Sequence, residues 1–117
     1  MLVQQTDRQI NYIEFAVTDI NRAKAFYGEV FGWSFTDFGP QYCEFDDGHM
    51  KGGFEISKNI TLGGPLVVIY GDNLAELAVA VKRAGGVISK AVFSFPGGHR
   101  FHFFDPDGHE LAVWCEK

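Results

Sequence analysis

Two stretches of this chain share one pattern of cap, apolar stripe and glycine stop, and that repeat limits the folds open to it more than any other feature. Residues 11–33 read NYIEFAVTDINRAKAFYGEVFGW. Ile13, Phe15 and Val17 alternate with Tyr12, Glu14 and Ala16, the period-two signature of a strand with one buried face. Asp19 stands where a helix N-cap belongs, because its carboxylate can accept from the free N–H groups of a first turn. Ala23, Phe26, Tyr27, Val30 and Phe31 then recur at spacings of three and four, the apolar stripe of a helix expected over 20–31. Gly32 ends it by taking a positive φ. Further along, residues 66–70 read as a strand with Val67 and Ile69 on one face. Asp72 and Asn73 compete as N-cap, and Asn73 with Glu76 offers a capping box. Leu74, Leu77, Ala78 and Val81 make the second stripe, and Gly85-Gly86 ends it. Thirteen positions separate Asp19 from Gly32 and Asp72 from Gly85, and the turn Asp47-Gly48-His49 is echoed by Asp107-Gly108-His109.

The intervening residues complete each half. Residues 33–38 alternate, Gly39-Pro40 forces a turn, 41–45 and 50–56 read as strands, and Asp46-Asp47-Gly48 is turn chemistry between them. Gly52-Gly53 loosens the last of these strands. In the second half, 87–95 and 99–104 are strands separated by Pro96-Gly97-Gly98. Asp105-Pro106-Asp107-Gly108 turns the chain into a final strand over 109–114. Each half is thus a βαβββ unit, about 10–57 and 65–116, joined by a polar linker. The fold expected is α+β: two tandem βαβββ modules forming a curved, open, barrel-like mixed sheet with helices outside, one domain over 1–117. A ferredoxin-like βαββαβ domain is the competing topology, and it accounts less well for two strand-rich halves in succession.

Bulk properties narrow the function. At 117 residues and 46% hydrophobic, with 12 Phe, the chain can fill one core. A net charge of −5 argues against nucleic acid or an anionic membrane as partner. No apolar run approaches the ~20 residues of a membrane span, and the opening MLVQQTDRQ lacks the basic start and apolar core of a signal peptide. Cys43 and Cys115 lie among apolar residues and read as buried free thiols of a reducing cytoplasm. The expected location is cytoplasmic.

The helices should cover the Ile13/Phe15/Val17 side of the sheets, leaving a concave face free. Strand parity assigns that face Tyr12, Glu14, Leu66, Val68, Tyr70, Arg100, His102, Phe104, Glu110, Ala112 and Trp114. Val67, Ile69, Phe101, Phe103, Leu111 and Val113 fall on the opposite, covered side. Aromatic groups with a few charges suit a small-molecule pocket, although an apolar dimer interface or a filled cavity would show the same mixture. Tyr12, Glu14, Val68, Arg100, His102, Phe104 and Trp114 are the candidate ligand-binding residues. Glu14 and His102 are the candidate acid–base pair, since a histidine titrates near neutral pH. Glu14 could equally form an ordinary salt bridge with Arg100 or His102. Tyr42 and Glu44 are placed to line the same face from the third strand. His49 and His109 follow matching Asp-Gly turns and read as turn structure rather than metal ligands. No helix follows Gly97-Gly98, so that pair is a hairpin and not a phosphate loop.

The repeat, with DINRAKAFYGEVFGW in the first half and FHFFDPDGHELAVW at the end, resembles the vicinal oxygen chelate family over about residues 10–114. This family includes glyoxalase I, bleomycin-resistance proteins, fosfomycin-resistance enzymes and extradiol dioxygenases, and the chain looks most like its glyoxalase-related subgroup of unassigned chemistry. The resemblance implies a homodimer, and the exposed strand edges of such modules argue the same way. It also implies, as the family norm, one divalent metal held by His, Glu or Gln side chains of the concave face. The family's ligand positions fall here on Tyr12, Leu66 and Ala112, with the fourth-strand position on Glu55 or Gly52 according to how that strand is aligned. Leu66 and Ala112 carry no donor atom, so no metal and no other cofactor is expected. The resemblance further implies that the position of His102 is held by a substrate-contacting phenol in the fosfomycin-resistance relatives. Two functions are consistent with it. One is a glyoxalase/bleomycin-resistance-like protein that binds a small organic molecule. The other is a lyase or isomerase of the glyoxalase I type with an altered metal site or metal-free acid–base chemistry.

Overall fold

A computed structural model describes residues 7–117, with eight strands and two helices in two successive βαβββ modules. The first module holds β1 (Tyr12–Val17), α1 (Ile20–Phe31), β2 (Ser34–Asp37), β3 (Tyr42–Asp46) and β4 (Lys51–Ile56). The second holds β5 (Val67–Tyr70), α2 (Leu74–Arg83), β6 (Val87–Phe95), β7 (Gly98–Phe104) and β8 (Glu110–Cys115). Each module makes one four-stranded sheet, in the orders β1-β4-β3-β2 and β5-β8-β7-β6. In both, the strand before the helix pairs in parallel with the last strand of the module, and the other pairs are antiparallel. This is the open, curved, helix-backed pair of βαβββ sheets expected, and the ferredoxin-like alternative is set aside. The opening residues 1–6 lie outside the described residues. The first strand begins at Tyr12 rather than at residue 10.

Local chemistry explains the helix ends. The Asp19 carboxylate accepts from the Arg22 N–H at 3.1 Å, and Gly32 closes α1 with φ 72°. That left-handed geometry would strain any residue with a Cβ. At α2 the competition resolves to Asn73, whose side chain accepts from the Glu76 N–H at 3.1 Å. Ile20, Ala23, Phe26, Tyr27 and Val30 are buried on α1. They meet Phe15, Phe45 and Phe54 of their own sheet, and Tyr27 stacks on Trp33 with ring centroids 4.7 Å apart. The core also crosses between modules: Phe103 of β7 packs against Phe26 and Phe31 of α1 at 5.9 and 6.0 Å. Cys43 and Cys115 are free and buried, and burial pushes the Cys43 thiol up to about 11. It is an inert core group, not a nucleophile.

The turn between β7 and β8 fastens one module to the other. One Asp107 carboxylate oxygen accepts from the Thr18 N–H (3.0 Å), the Thr18 hydroxyl (2.8 Å) and Arg22 Nη2 (2.8 Å). The Asp107 side chain is 2% exposed, and its other oxygen is buried without a partner among the described residues. Asp105 accepts from the turn's own Asp107 and His109 N–H groups and from the buried Tyr27 hydroxyl at 2.8 Å. Burial raises both the Asp105 carboxyl and the Tyr27 phenol above their ordinary values. His109 Nε2 donates to the Ala16 carbonyl at 2.7 Å, and its ring meets Phe15 edge-on at 5.3 Å. The repeated Asp-Gly-His turn therefore has a structural use in the second half, since it satisfies a polar group on the free edge of β1. Replacing the Asp107 carboxylate removes, from a side chain that is itself 2% exposed, the shared acceptor of the Thr18 N–H, the Thr18 hydroxyl and Arg22. Asp107→Ala should lower the unfolding free energy by about 2–3 kcal/mol, at an unchanged denaturant slope, since hydrogen bonds to charged groups contribute about that much. A loss below about 0.5 kcal/mol in a urea titration, the size of an ordinary surface change, would show that the turn does not hold the modules together.

Candidate functional site

The strand registers decide which side chains share the faces left free by the helices. In the first sheet, Glu14 lies opposite Gly53, and Gly53 opposite Glu44. Ala16, Glu55 and Tyr42 form the neighbouring row, and Tyr12, Lys51 and Asp46 the next. In the second sheet, one row runs Phe93, Arg100, Trp114 and Tyr70; a second runs Lys90, His102, Ala112 and Val68. Glu110 and Phe104 pair in a third. Tyr12, Glu14, Val68, Tyr70 and Phe104 are exposed in the single chain, while Phe101, Phe103, Leu111 and Val113 on the other side are fully buried. The seven candidate ligand residues thus divide between two faces: Tyr12 and Glu14 on the first sheet, Val68, Arg100, His102, Phe104 and Trp114 on the second.

On the first face, two phenols and a carboxylate form a chain. The Tyr42 hydroxyl donates to Glu14 Oε1 at 2.8 Å, and the Tyr12 and Tyr42 hydroxyls lie 2.6 Å apart. Because the Tyr42 proton is used on Glu14, the proton between the phenols comes from Tyr12. Partial burial and this acidic company raise both phenols above the usual tyrosine value. Gly53 makes the meeting possible. A Cβ there would stand 1.9 Å from the Tyr42 hydroxyl oxygen and 2.7 Å from that of Tyr12. Glu14 therefore takes Tyr42 as its partner, rather than the Arg100 or His102 considered from the sequence. Lys51 reaches Glu44 at 3.6 Å beside it.

On the second face, His102 is 4% exposed. Its Nδ1 lies 3.3 Å from Glu110 Oε2, which also accepts from the Ser89 hydroxyl at 3.0 Å. A carboxylate at Nδ1 fixes the proton there and leaves Nε2 as a bare lone pair. Nε2 is buried with no partner among the described residues. Burial, with the nearby Arg100 charge, holds the imidazole below its ordinary pKa, and Glu110 opposes that shift. The Arg100 guanidinium lies 5.4 Å from the ring centres of both Phe93 and Phe95. Phe93 and Phe95 were missed from sequence. The tight hairpin register that sets Phe93 opposite Arg100 and Phe95 opposite Gly98 is the signal that could have found them.

A cleft of about 560 Å³ runs along the free edge of β1, with Glu14, Ala16 and Ile13 on one wall and Pro65, Leu66 and Glu110 on the other. It brings Glu14 and Glu110 into one space, one from each sheet.

The positions at which the resemblance places the family's metal ligands are set apart as follows among the described residues. Tyr12 is bonded to Tyr42, Leu66 offers only carbon, and Ala112 is fully buried. Glu55 shares the free face with Tyr42, whereas the alternative, Gly52, faces the core: a Cβ there would stand 2.1 Å from the Phe45 ring. Among the described residues no three His, Cys, Asp or Glu side chains are grouped to hold a metal ion.

The histidine geometry has a measurable consequence. A group whose folded pKa is depressed contributes stability at pH values above its unfolded pKa and loses it as pH falls through the folded one. The His102 imidazole should titrate below the ordinary value of about 6.5 in an NMR titration, and Glu110→Gln should lower it further by removing the group that favours the charged form. A titration at or above that value would contradict the dominance of burial at His102, and a rise on Glu110→Gln would contradict the Nδ1–Glu110 assignment.

Solved structures of similar fold come from several bacteria. A glyoxalase-related enzyme of Fulvimarina pelagi matches with TM-score 0.79 at 21% identity, covering 92% of this chain and 87% of its own. A mutant fosfomycin resistance protein of Listeria monocytogenes, complexed with Mn(II) and a dihydroxypropylphosphonic acid, matches with TM-score 0.79 at 16% identity, covering 93% and 90%. A lactoylglutathione lyase of Agrobacterium tumefaciens matches with TM-score 0.71 at 18% identity, covering 94% and 95%. At these identities the likeness is one of fold. No curated protein matches the chain. No helix among the described residues is long and apolar enough to cross a membrane. Residues 9–113 match the family described as the Glyoxalase/Bleomycin resistance protein/Dioxygenase superfamily, and on that match, with two helix-backed βαβββ sheets behind it, the chain belongs to this superfamily.

Proposed function

We propose that this protein binds a small organic molecule on the faces its helices leave free, that the metal site of its relatives has been lost, and that it works as a cytoplasmic homodimer in the manner of the bleomycin-resistance branch. The observation that carries the reading is the directed polarity of those faces. Glu14 with its two phenols, Arg100, and His102 with Glu110 all stand on them, among exposed Tyr12, Val68, Tyr70 and Phe104. A buried polar atom without a partner costs roughly 1–3 kcal/mol, and a bound molecule would relieve that cost at His102 and Arg100. Tyr12, Glu14, Val68, Arg100, His102, Phe104 and Trp114 are the contacts proposed. The exposed aromatic surface and open strand edges favour a second copy as cover.

One observation favours a second reading, metal-free acid–base chemistry of the lyase or isomerase type. The Tyr12–Tyr42–Glu14 chain is continuous, at 2.6 and 2.8 Å. A proton released by a molecule at Tyr12 could pass along it to the carboxylate, with Glu14 as the base.

Both halves of the main reading are measurable. After dialysis the protein should hold far less than one divalent metal per chain, whereas stoichiometric Zn, Ni, Mn or Fe lost on Glu55→Ala would contradict the loss of the site. Light scattering at micromolar concentration should give about twice the 13.1 kDa chain mass, and the single-chain mass would refute the dimer. For a ligand found by screening, His102→Ala should weaken binding by about 1–3 kcal/mol with the fold retained. An affinity indifferent to both His102→Ala and Glu14→Ala would place the site elsewhere.

A further inference from the structure

We propose that the molecule bound is an acid on a flat apolar body, with a hydroxyl or N–H at its far end: Arg100 takes the acid, and His102 Nε2 accepts from the far end. This rests on the small-molecule reading above and names the class of ligand.

Arg100 is the first argument. Its guanidinium is held by the rings of Phe93 and Phe95, each 5.4 Å away. Rings stabilise the face of a guanidinium but offer little to the N–H groups at its edge. Its Nε is buried without a partner, and among the described residues no carboxylate lies within ion-pair distance of it. The carboxylate two rows away, Glu110, is already committed to His102 and Ser89. In a chain of net charge −5, an arginine with no acidic partner on a face of aromatic groups is suited to an acid from outside. The planar fork of the guanidinium matches a carboxylate with two parallel hydrogen bonds.

His102 is the second, independent argument. With its Nδ1 proton held by Glu110, Nε2 can only accept. It is buried and unpartnered, two residues along the same strand face from Arg100. Two residues of strand span about 6–7 Å, so one small molecule lying along the strand can meet both side chains. Trp114 lies opposite Arg100, with Tyr70 against it at 5.1 Å, and supplies an aromatic wall for a flat ring. Phe93 lies near both groups, 5.8 Å from the His102 ring. The β6–β7 ladder is broken between Lys90 and Phe93, so Phe93 is the side chain best placed to yield as the ring enters.

The test uses the intact protein and 4-hydroxybenzoate as probe, against 4-hydroxybenzamide and benzoate, read by calorimetry and by Trp fluorescence. The acid should bind at least roughly tenfold tighter than its amide, and Arg100→Gln should reduce that ratio to near one, as expected when a charge-assisted contact is lost. Benzoate, which lacks the far hydroxyl, should bind more weakly than 4-hydroxybenzoate, and His102→Ala should remove that difference. The acid-to-amide ratio in the unaltered protein needs no variant, so a misfolded Arg100→Gln chain does not spare the proposal. Equal binding of acid and amide would overturn the acid assignment and leave the small-molecule reading standing. An acid preference that survives Arg100→Gln in a folded chain would overturn the role of Arg100. Absence of binding by all three probes would overturn the ligand class, and only a failure of broader screening as well would overturn the site.

Discussion

The structure depends on one buried carboxylate. Asp107 belongs to the second module, yet every donor on its single engaged oxygen, from Thr18 and Arg22, belongs to the first. Asp105 in the same turn reaches Tyr27 on α1, and His109 reaches the Ala16 carbonyl. A carboxylate removed from water stabilises only a geometry in which its donors are all present, so the turn fixes the angle between the sheets as well as joining them. Through Phe15 and Tyr27 it is continuous with the aromatic core that Phe103 shares with α1. The positions of the two free faces follow from this junction, and so does the cleft between the β1 edge and Leu66.

The free faces are where the chain departs from what stability alone would select. An Ala at position 53 would favour the strand over glycine in entropy, but it would occupy the space in which Tyr12 and Tyr42 meet. His102 and Arg100 could be replaced by apolar residues without unpartnered atoms. Instead the second sheet keeps His102 Nε2 and Arg100 Nε buried without a partner among the described residues, close to aromatic rings. Groups of this kind are the ones a bound molecule would satisfy, and the proposed ligand class follows from their chemistry: one donor, one acceptor, and flat apolar walls.

Much of the fold was legible because it rests on short-range periodicity. Alternation along β1, β5, β7 and β8 sorted core from free face, and the stripes with Asp19, Gly32 and Asn73 placed both helices. What the sequence left open was set by register and by contacts distant in the chain. Parity put Glu14, Arg100 and His102 on one side, but the partner of Glu14 depends on β3 lying across Gly53, which no local pattern encodes. Phe93 and Phe95 were within reach of the sequence, since the β6–β7 ladder is regular next to its hairpin and shifts register only before Phe93. The Asp-Gly-His echo was readable as turn chemistry in both halves. That the second of these turns crosses to the other module is a tertiary fact. The unsuitability of Leu66 and Ala112 as metal ligands was plain from residue type alone.

The central claim is that a small organic molecule, and no metal, satisfies the polar groups of the free faces. A crystal structure of the protein taken from cells without added ligand tests it most directly. The account predicts density for an organic molecule against Arg100 and His102, with acceptor oxygens at the guanidinium and no spherical peak ligated by Tyr12 and Glu55. A face filled by this protein's own side chains, or a metal peak at those two residues, would contradict it.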